Sequence, residues 1–228
     1  MIFLVVDWTR YLHQQDKKIT VKMASSTTPE NNSFLEKVKD FPPIIDGKIN
    51  AVKFIESTLG LLWVVEGLGK IFALVKYDME GNIDKIKKLD PKESSCLLEL
   101  LHRECLQAQG KPVATEGLLW LNRSLYFFEI VFQEMIHLIK ENNLDINMRK
   151  IYTTAYEGSV KKYHNWVTQQ IFALICRLAP TLHQLLKSFG VDTNNVASFK
   201  TRLTSFNITL HLVRCKIDDF YKDNNLFC

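Results

Sequence analysis

The stretch from Thr115 to Lys140 sets the terms on which this chain folds. Read at helical spacing, Leu118, Leu119, Leu125, Phe128, Val131, Phe132 and Met135 cover much of the circumference of one long helix. A helix that is apolar on more than one side has to be covered on more than one side. The economical solution is helices layered on helices. The rest of the chain supplies the partners. Val52, Ile55, Leu59 and Leu62 repeat at amphipathic spacing from Asn50 onward, and a second helix runs from about Lys70 to Leu89, stopping at Asp90-Pro91. A third starts near Pro91 and carries Leu97, Leu98, Leu101 and Cys105. Beyond the long helix, one more spans Asp145 to Ala179, a short one ends at Phe189-Gly190, and a last one spans Asn195 to Tyr221. The expected fold is all-α, with about seven or eight helices.

Composition agrees. Only nine glycines and six prolines punctuate 228 residues, too few for a turn-rich β sandwich or barrel. At 24% charged and 46% hydrophobic, the chain is neither disordered nor a polytopic membrane protein. A net charge of +4 without a concentrated basic run gives no footprint for nucleic acid. Residues 1–49 read as an N-terminal extension, partly disordered, with a short helix opened by Ser33 and Glu36 and closed by Pro42-Pro43. Residues 50–228 read as the folded domain. Five scattered cysteines without a CxxC pair, and no signal-peptide core, point to reduced thiols and the cytosol.

Enzyme signatures are missing from the sequence: it has no GxSxG, HExxH, glycine-rich phosphate loop or EF-hand loop. A non-enzymatic protein is expected, with no cofactor and no metal. Three other clusters carry more information. Asp78, Asn82 and Lys85 recur at i, i+4 and i+7, so they share one helix face and offer a carboxylate, an amide and an ammonium side by side. Such a face is either a solvated surface or a site that hydrogen-bonds a polyhydroxylated group or an amide. Glu116, Trp120 and Arg123 repeat the spacing on the long helix. There the indole is either a core anchor or a flat platform for a sugar, with charged neighbours for its hydroxyls. His164 follows Lys161-Lys162-Tyr163. It is either a structural histidine or a donor to a ligand carbonyl, its second nitrogen held internally.

Taken in order, these clusters resemble the glycolipid transfer protein family. The matching segments are Asp78-Met79-Glu80-Gly81-Asn82-Ile83-Asp84-Lys85, then Ala114 through Leu121-Asn122-Arg123, then Tyr156 through Lys161-Lys162-Tyr163-His164-Asn165-Trp166, with Leu178-Ala179-Pro180 after them. The likeness spans roughly residues 50–222, and its wording is closest to transfer domains that follow a pleckstrin-homology module in larger adaptor proteins. It departs from the family at Asn165, often glycine, and at Arg177, often aromatic.

The resemblance implies a two-layer helical sandwich that opens to admit a lipid and moves glycosphingolipids of the glucosyl- or galactosylceramide class between membranes. It implies a headgroup site at Asp78, Asn82, Lys85, Trp120 and His164, with Trp120 under the first sugar and His164 at the ceramide amide together with Asp78. Glu116, Arg123 and Tyr156 are candidates for further contacts. Phe72, Leu74, Val75, Phe127, Phe128, Val160, Phe172 and Ile175 are candidates for the acyl-chain pocket. One branch of the family carries phosphorylated ceramide and has a cation in place of the tryptophan. Trp120 and Glu116 favour the sugar branch, while Lys85 and Arg123 suit a phosphate. A lipid sensor or adaptor built on the same fold is the other alternative. The expected protein is a monomer that touches membranes peripherally and reversibly, with Trp166 and Lys161-Lys162 contributing.

Overall fold

Helix boundaries in this protein are written mostly by side chains that finish the backbone's hydrogen bonds. The computed structural model describes residues 37–69, 72–192 and 194–226. Helix α1 (Ala51–Gly67) starts where the Asn50 side chain accepts the Lys53 N–H at 2.9 Å. Helix α2 (Ala73–Lys87) gives way to a turn in which Asp90 takes φ 51° just before Pro91. Helix α3 (Leu97–Gln107) begins later than the sequence suggested, because Lys92 and Ser95 close a turn on each other first. Helix α4 (Val113–Lys140) has Pro112 at its start and no cap of its own. Glu104 of α3 supplies one, accepting the N–H groups of Ala114 and Thr115 and the Thr115 hydroxyl, each at 2.8 Å.

The single helix expected over Asp145–Ala179 is three pieces. Helix α5 (Arg149–Gly158) ends at Ser159, whose hydroxyl turns back to the Ala155 carbonyl. One 3-10 turn follows over Lys161–Tyr163, and helix α6 (Trp166–Arg177) starts anew with Asn165 accepting the Thr168 N–H at 2.9 Å. Gly158-Ser159 is a poor pair for a helix interior and Asn165 is a strong N-cap, so local chemistry overrode the apolar period. His164 therefore sits in extended backbone (φ −95°, ψ 140°) rather than on a helix. Helix α7 (Leu182–Ser188) opens with a reciprocal Thr181/Gln184 capping box and closes at Gly190, φ 71°, as its glycine predicted. Helix α8 spans Val196–Asp223.

Among the described residues these eight helices carry the fold; isolated β-bridges such as Asn50–Cys96 tie loops together, and none extends into a strand. Helix α4 packs against α8, α2, α5 and α3, so the long apolar helix is covered on several sides. Phe54, Phe128, Phe132, Phe199 and Phe206 are fully buried. Residues 37–49, read as the tail of an extension, lie on this core. Val38, Phe41 and Ile49 are buried, Arg202 binds Asp40 and the Val38 carbonyl, and the Phe41 N–H donates to Thr209 at 3.1 Å. The Ser33/Glu36 helix start falls outside the described residues. A polar seam crosses the α4–α8 contact. Buried Glu129 accepts from Arg214 and sits 2.7 Å from His211, while Arg214 also binds Asp218, which accepts from Asn122 at 2.6 Å. No described helix is long and apolar enough to cross a membrane.

Candidate functional site

Helix α2 turns Met79, Ile83 and Ile86 into the core, and that anchoring fixes the direction of the other face. Asp78, Asn82 and Lys85 are joined there in a chain. The Lys85 ammonium donates to the Asn82 side-chain oxygen Oδ1 at 2.9 Å, and the Asn82 side-chain amide donates to Asp78 Oδ2 at 3.2 Å. Asn82 is 3% exposed, so the amide is a buried relay between acid and amine rather than a solvated residue. Burial pushes the Asp78 carboxyl above its ordinary value, and the Lys85 charge only partly opposes this. The trio reaches α4 at Gly117. A Cβ on Gly117 would lie 3.0 Å from Lys85 Cδ, 3.1 Å from Lys85 Cβ and 3.3 Å from the Asn82 carbonyl oxygen. The missing side chain is what lets α2 approach α4 here.

One turn further along α4, the Trp120 indole is partly exposed, not a sealed core anchor. His164 stacks parallel to it at 6.2 Å and 17°, Tyr163 meets its edge at 6.3 Å, and the Arg123 guanidinium lies 4.7 Å from its centre. Arg123 also covers the Tyr163 ring at 3.5 Å, so the cation is clasped between two aromatic faces. Burial lowers the pKa of Arg123, with Tyr163 working the other way. His164 is held from behind. Its Nδ1 is 2.8 Å from the Tyr156 hydroxyl, and its carbonyl accepts from Gln169 at 2.9 Å. Burial, and after it the charge of Arg123, pulls the imidazole below its ordinary pKa, while burial raises the Tyr156 phenol to about 12. The pair is therefore a neutral imidazole beside a protonated phenol at physiological pH. Glu116 is exposed, one turn before Trp120.

Of the residues considered for an apolar pocket, Phe72, Phe127, Phe128, Val160, Phe172 and Ile175 are buried, whereas Leu74 and Val75 are partly exposed. Several belong to a file of rings that leads inward from His164. Tyr156 contacts His164 at 5.6 Å and stacks on Phe172 at 3.9 Å; Phe172 meets Phe127 at 5.6 Å, and Phe127 meets Tyr152 at 6.4 Å. Tyr152 in turn meets Phe72 edge-on at 5.1 Å. A cleft of about 290 Å³ opens on the α5–α6 flank, lined by Arg149, Thr153, Tyr156, Glu157, Lys161, Gln169, Gln170, Phe172, Ala173, Cys176 and Arg177. Sequence reading missed Gly117, Tyr163 and Gln169. Gly117, a glycine inside an apolar helix, and Tyr163, inside the segment that carries His164, left signals; Gln169 left none.

Known proteins are similar to this chain both in sequence and in the arrangement of helices. The profile of the family described as "Glycolipid transfer protein (GLTP)" matches residues 49–191. A glycolipid transfer protein of Danio rerio is 30% identical over 167 residues, covering 71% of this chain and 71% of that protein. The pleckstrin homology domain-containing family A member 8 of Homo sapiens is 33% identical over 167 residues, 71% of this chain but 30% of that longer protein. Among solved structures, the fungal glycolipid transfer protein HET-C2 superposes with a TM-score of 0.70 at 27% identity, covering 83% of this chain and 97% of that one. On the strength of the matched profile and these relatives, the chain belongs to the glycolipid transfer protein family.

Proposed function

We propose that this protein carries a glycosphingolipid of the glucosyl- or galactosylceramide class between membranes. The observation that carries the reading is the partly exposed indole of Trp120, backed by His164 and Arg123 and adjoining the Asp78–Asn82–Lys85 chain across Gly117. A pyranose needs a flat apolar surface for its C–H face and donors and acceptors for its hydroxyls, and both stand side by side here. Trp120 takes the sugar face, and Asp78, Asn82 and Lys85 bond the hydroxyls. With Tyr156 Oη donating to Nδ1, the His164 ring keeps its proton on Nε2 and offers it to the amide carbonyl of the ceramide. Glu116, Arg123 and Tyr156 border the same site.

The apolar part of the ligand enters between the helices. Each buried methylene is worth about 0.8 kcal/mol, so a two-chain lipid leaves a membrane slowly unless a protein offers it a dry interior. Helices can part without losing the backbone hydrogen bonds internal to each of them. Phe127, Phe172 and Phe72 then supply the lining next to the polar site. For the membrane itself, Trp166 is 71% exposed at the start of α6, and Leu174 on that helix and Leu178 just past its end stand outward, a surface suited to shallow, reversible insertion.

A phosphate in place of the sugar is the second reading, favoured by Lys85 and by the Arg123 guanidinium beside Trp120. Vesicle-to-vesicle transfer of fluorescent glucosylceramide against ceramide-1-phosphate separates the two. Transfer of the first and not the second is expected, together with loss of transfer in Trp120→Ala at unchanged helicity by circular dichroism. Preferential transfer of the phosphate lipid refutes the sugar reading. Tight binding without any transfer points to a sensor or adaptor.

A further inference from the structure

Tyr152 is fully buried on α5, yet its hydroxyl has no hydrogen-bond partner. Almost every buried polar group in a folded protein has one. Other interior tyrosines conform: Tyr221 donates to the Thr115 carbonyl at 2.6 Å, and Tyr156 pairs with His164. A phenylalanine at position 152 would keep the ring contacts with Phe72 and Phe127 and avoid stripping a hydroxyl of water for nothing. An enclosed water is a poor substitute, since a stable interior water needs two or more polar partners; the ring neighbours Phe72 and Phe127 are apolar, and the buried Cys176 thiol near this phenol is a weak partner.

Its position suggests what does. Tyr152 precedes Tyr156 on α5 by one turn, about 6 Å along the helix axis. It stands at the inner end of the file His164–Tyr156–Phe172–Phe127, which leads from the polar site into the apolar interior. We infer that the Tyr152 hydroxyl is a polar subsite within the hydrocarbon chamber. It bonds a hydroxyl group carried near the polar end of one of the lipid's chains, and so selects sphingolipids with a hydroxylated acyl chain or long-chain base. This rests on the glycosphingolipid reading above. The bond forms only when the helices part and a chain lies along the file; until then the hydroxyl stays unsatisfied, which favours uptake of a lipid that satisfies it.

The test is competitive transfer of matched glucosylceramides from mixed donor vesicles. One has a 2-hydroxyacyl chain, one a 4-hydroxylated base, and one neither group. A neutral hydrogen bond made inside the protein corresponds to about a two- to tenfold preference. The wild type is expected to favour at least one hydroxylated lipid by that factor. Tyr152→Phe should carry all three as the wild type carries the plain lipid, with an unchanged or raised Tm. A wild-type ratio of one for both hydroxylated lipids overturns the inference whatever the variant does. So does a preference that survives Tyr152→Phe. If the wild type carries none of the three, the glycosphingolipid reading itself fails and takes this subsite with it.

Discussion

Gly117→Ala pits two effects of known size against each other. Replacing an interior helical glycine with alanine gains about 0.8–1 kcal/mol from backbone entropy. Against that, the new Cβ would sit 3.0 and 3.1 Å from Lys85 Cδ and Cβ and 3.3 Å from the Asn82 carbonyl oxygen. The Cδ can swing aside at small cost. The Cβ and the carbonyl belong to the frame of α2, so α2 itself must retreat from α4 by a few tenths of an ångström. Overpacking of this kind costs about 1–3 kcal/mol. The net is a loss of between zero and about 2 kcal/mol, a Tm lower by at most about 8 °C at this chain length. The folded fraction at 25 °C is then barely changed, but the Lys85–Asn82–Asp78 chain is displaced relative to Trp120. Thermal circular dichroism and glucosylceramide transfer measured on one preparation should show a transfer loss far larger than any loss of folded protein. A Tm raised by the full helix-propensity gain, with transfer intact, would refute the idea that this close approach sets the site.

Asp78→Asn should raise Tm near pH 7 while reducing transfer, because burial makes the ionised carboxyl costly in the folded protein and the amide removes that charge; a lower Tm would contradict this. His164 is held below 6.5 by burial and by Arg123, so just below that pH the unfolded chain binds a proton that the folded one refuses. Stability should therefore decline as pH falls through that window, and His164→Gln should lose this component in urea titrations at about pH 5 and pH 7.5; identical slopes in both proteins would exclude the effect. Arg214→Ala leaves Glu129 buried without its guanidinium, and a cost of about 3–5 kcal/mol is expected. Its Tm should fall by on the order of 10 °C, and a change within 2 °C would show that the seam is dispensable.

Most of the architecture was legible because amphipathic spacing survives in the sequence. The long central helix, the stops at Asp90-Pro91 and Gly190, and the terminal helix came out within a few residues of the observed ends. The break between α5 and α6 did not. The apolar period continues through Tyr152, Tyr156, Val160, Val167, Ile171 and Ile175, so periodicity alone gives no reason to stop. Only the Ser159 back-bond and the Asn165 cap interrupt it. Likewise the seam joins Glu129 and Asn122 on α4 to the i,i+4 pair Arg214 and Asp218 on α8, and no local pattern announces that pairing between helices. For the site, helical spacing placed Asp78, Asn82 and Lys85 on one face, but it could not show that Asn82 is buried between its neighbours or that Gly117 is the point of contact.

The Gln169 side chain also reaches across the α5–α6 break, donating to the carbonyls of His164 and Lys161. Because Gln169 rides on α6, a displacement of the histidine is passed to that helix, whose outer side presents Trp166 and Leu174 to the surroundings. Under the function proposed above, full and empty carriers would differ at the surface that meets the bilayer. The same strut would then let a delivered cargo loosen the grip on the receiving leaflet.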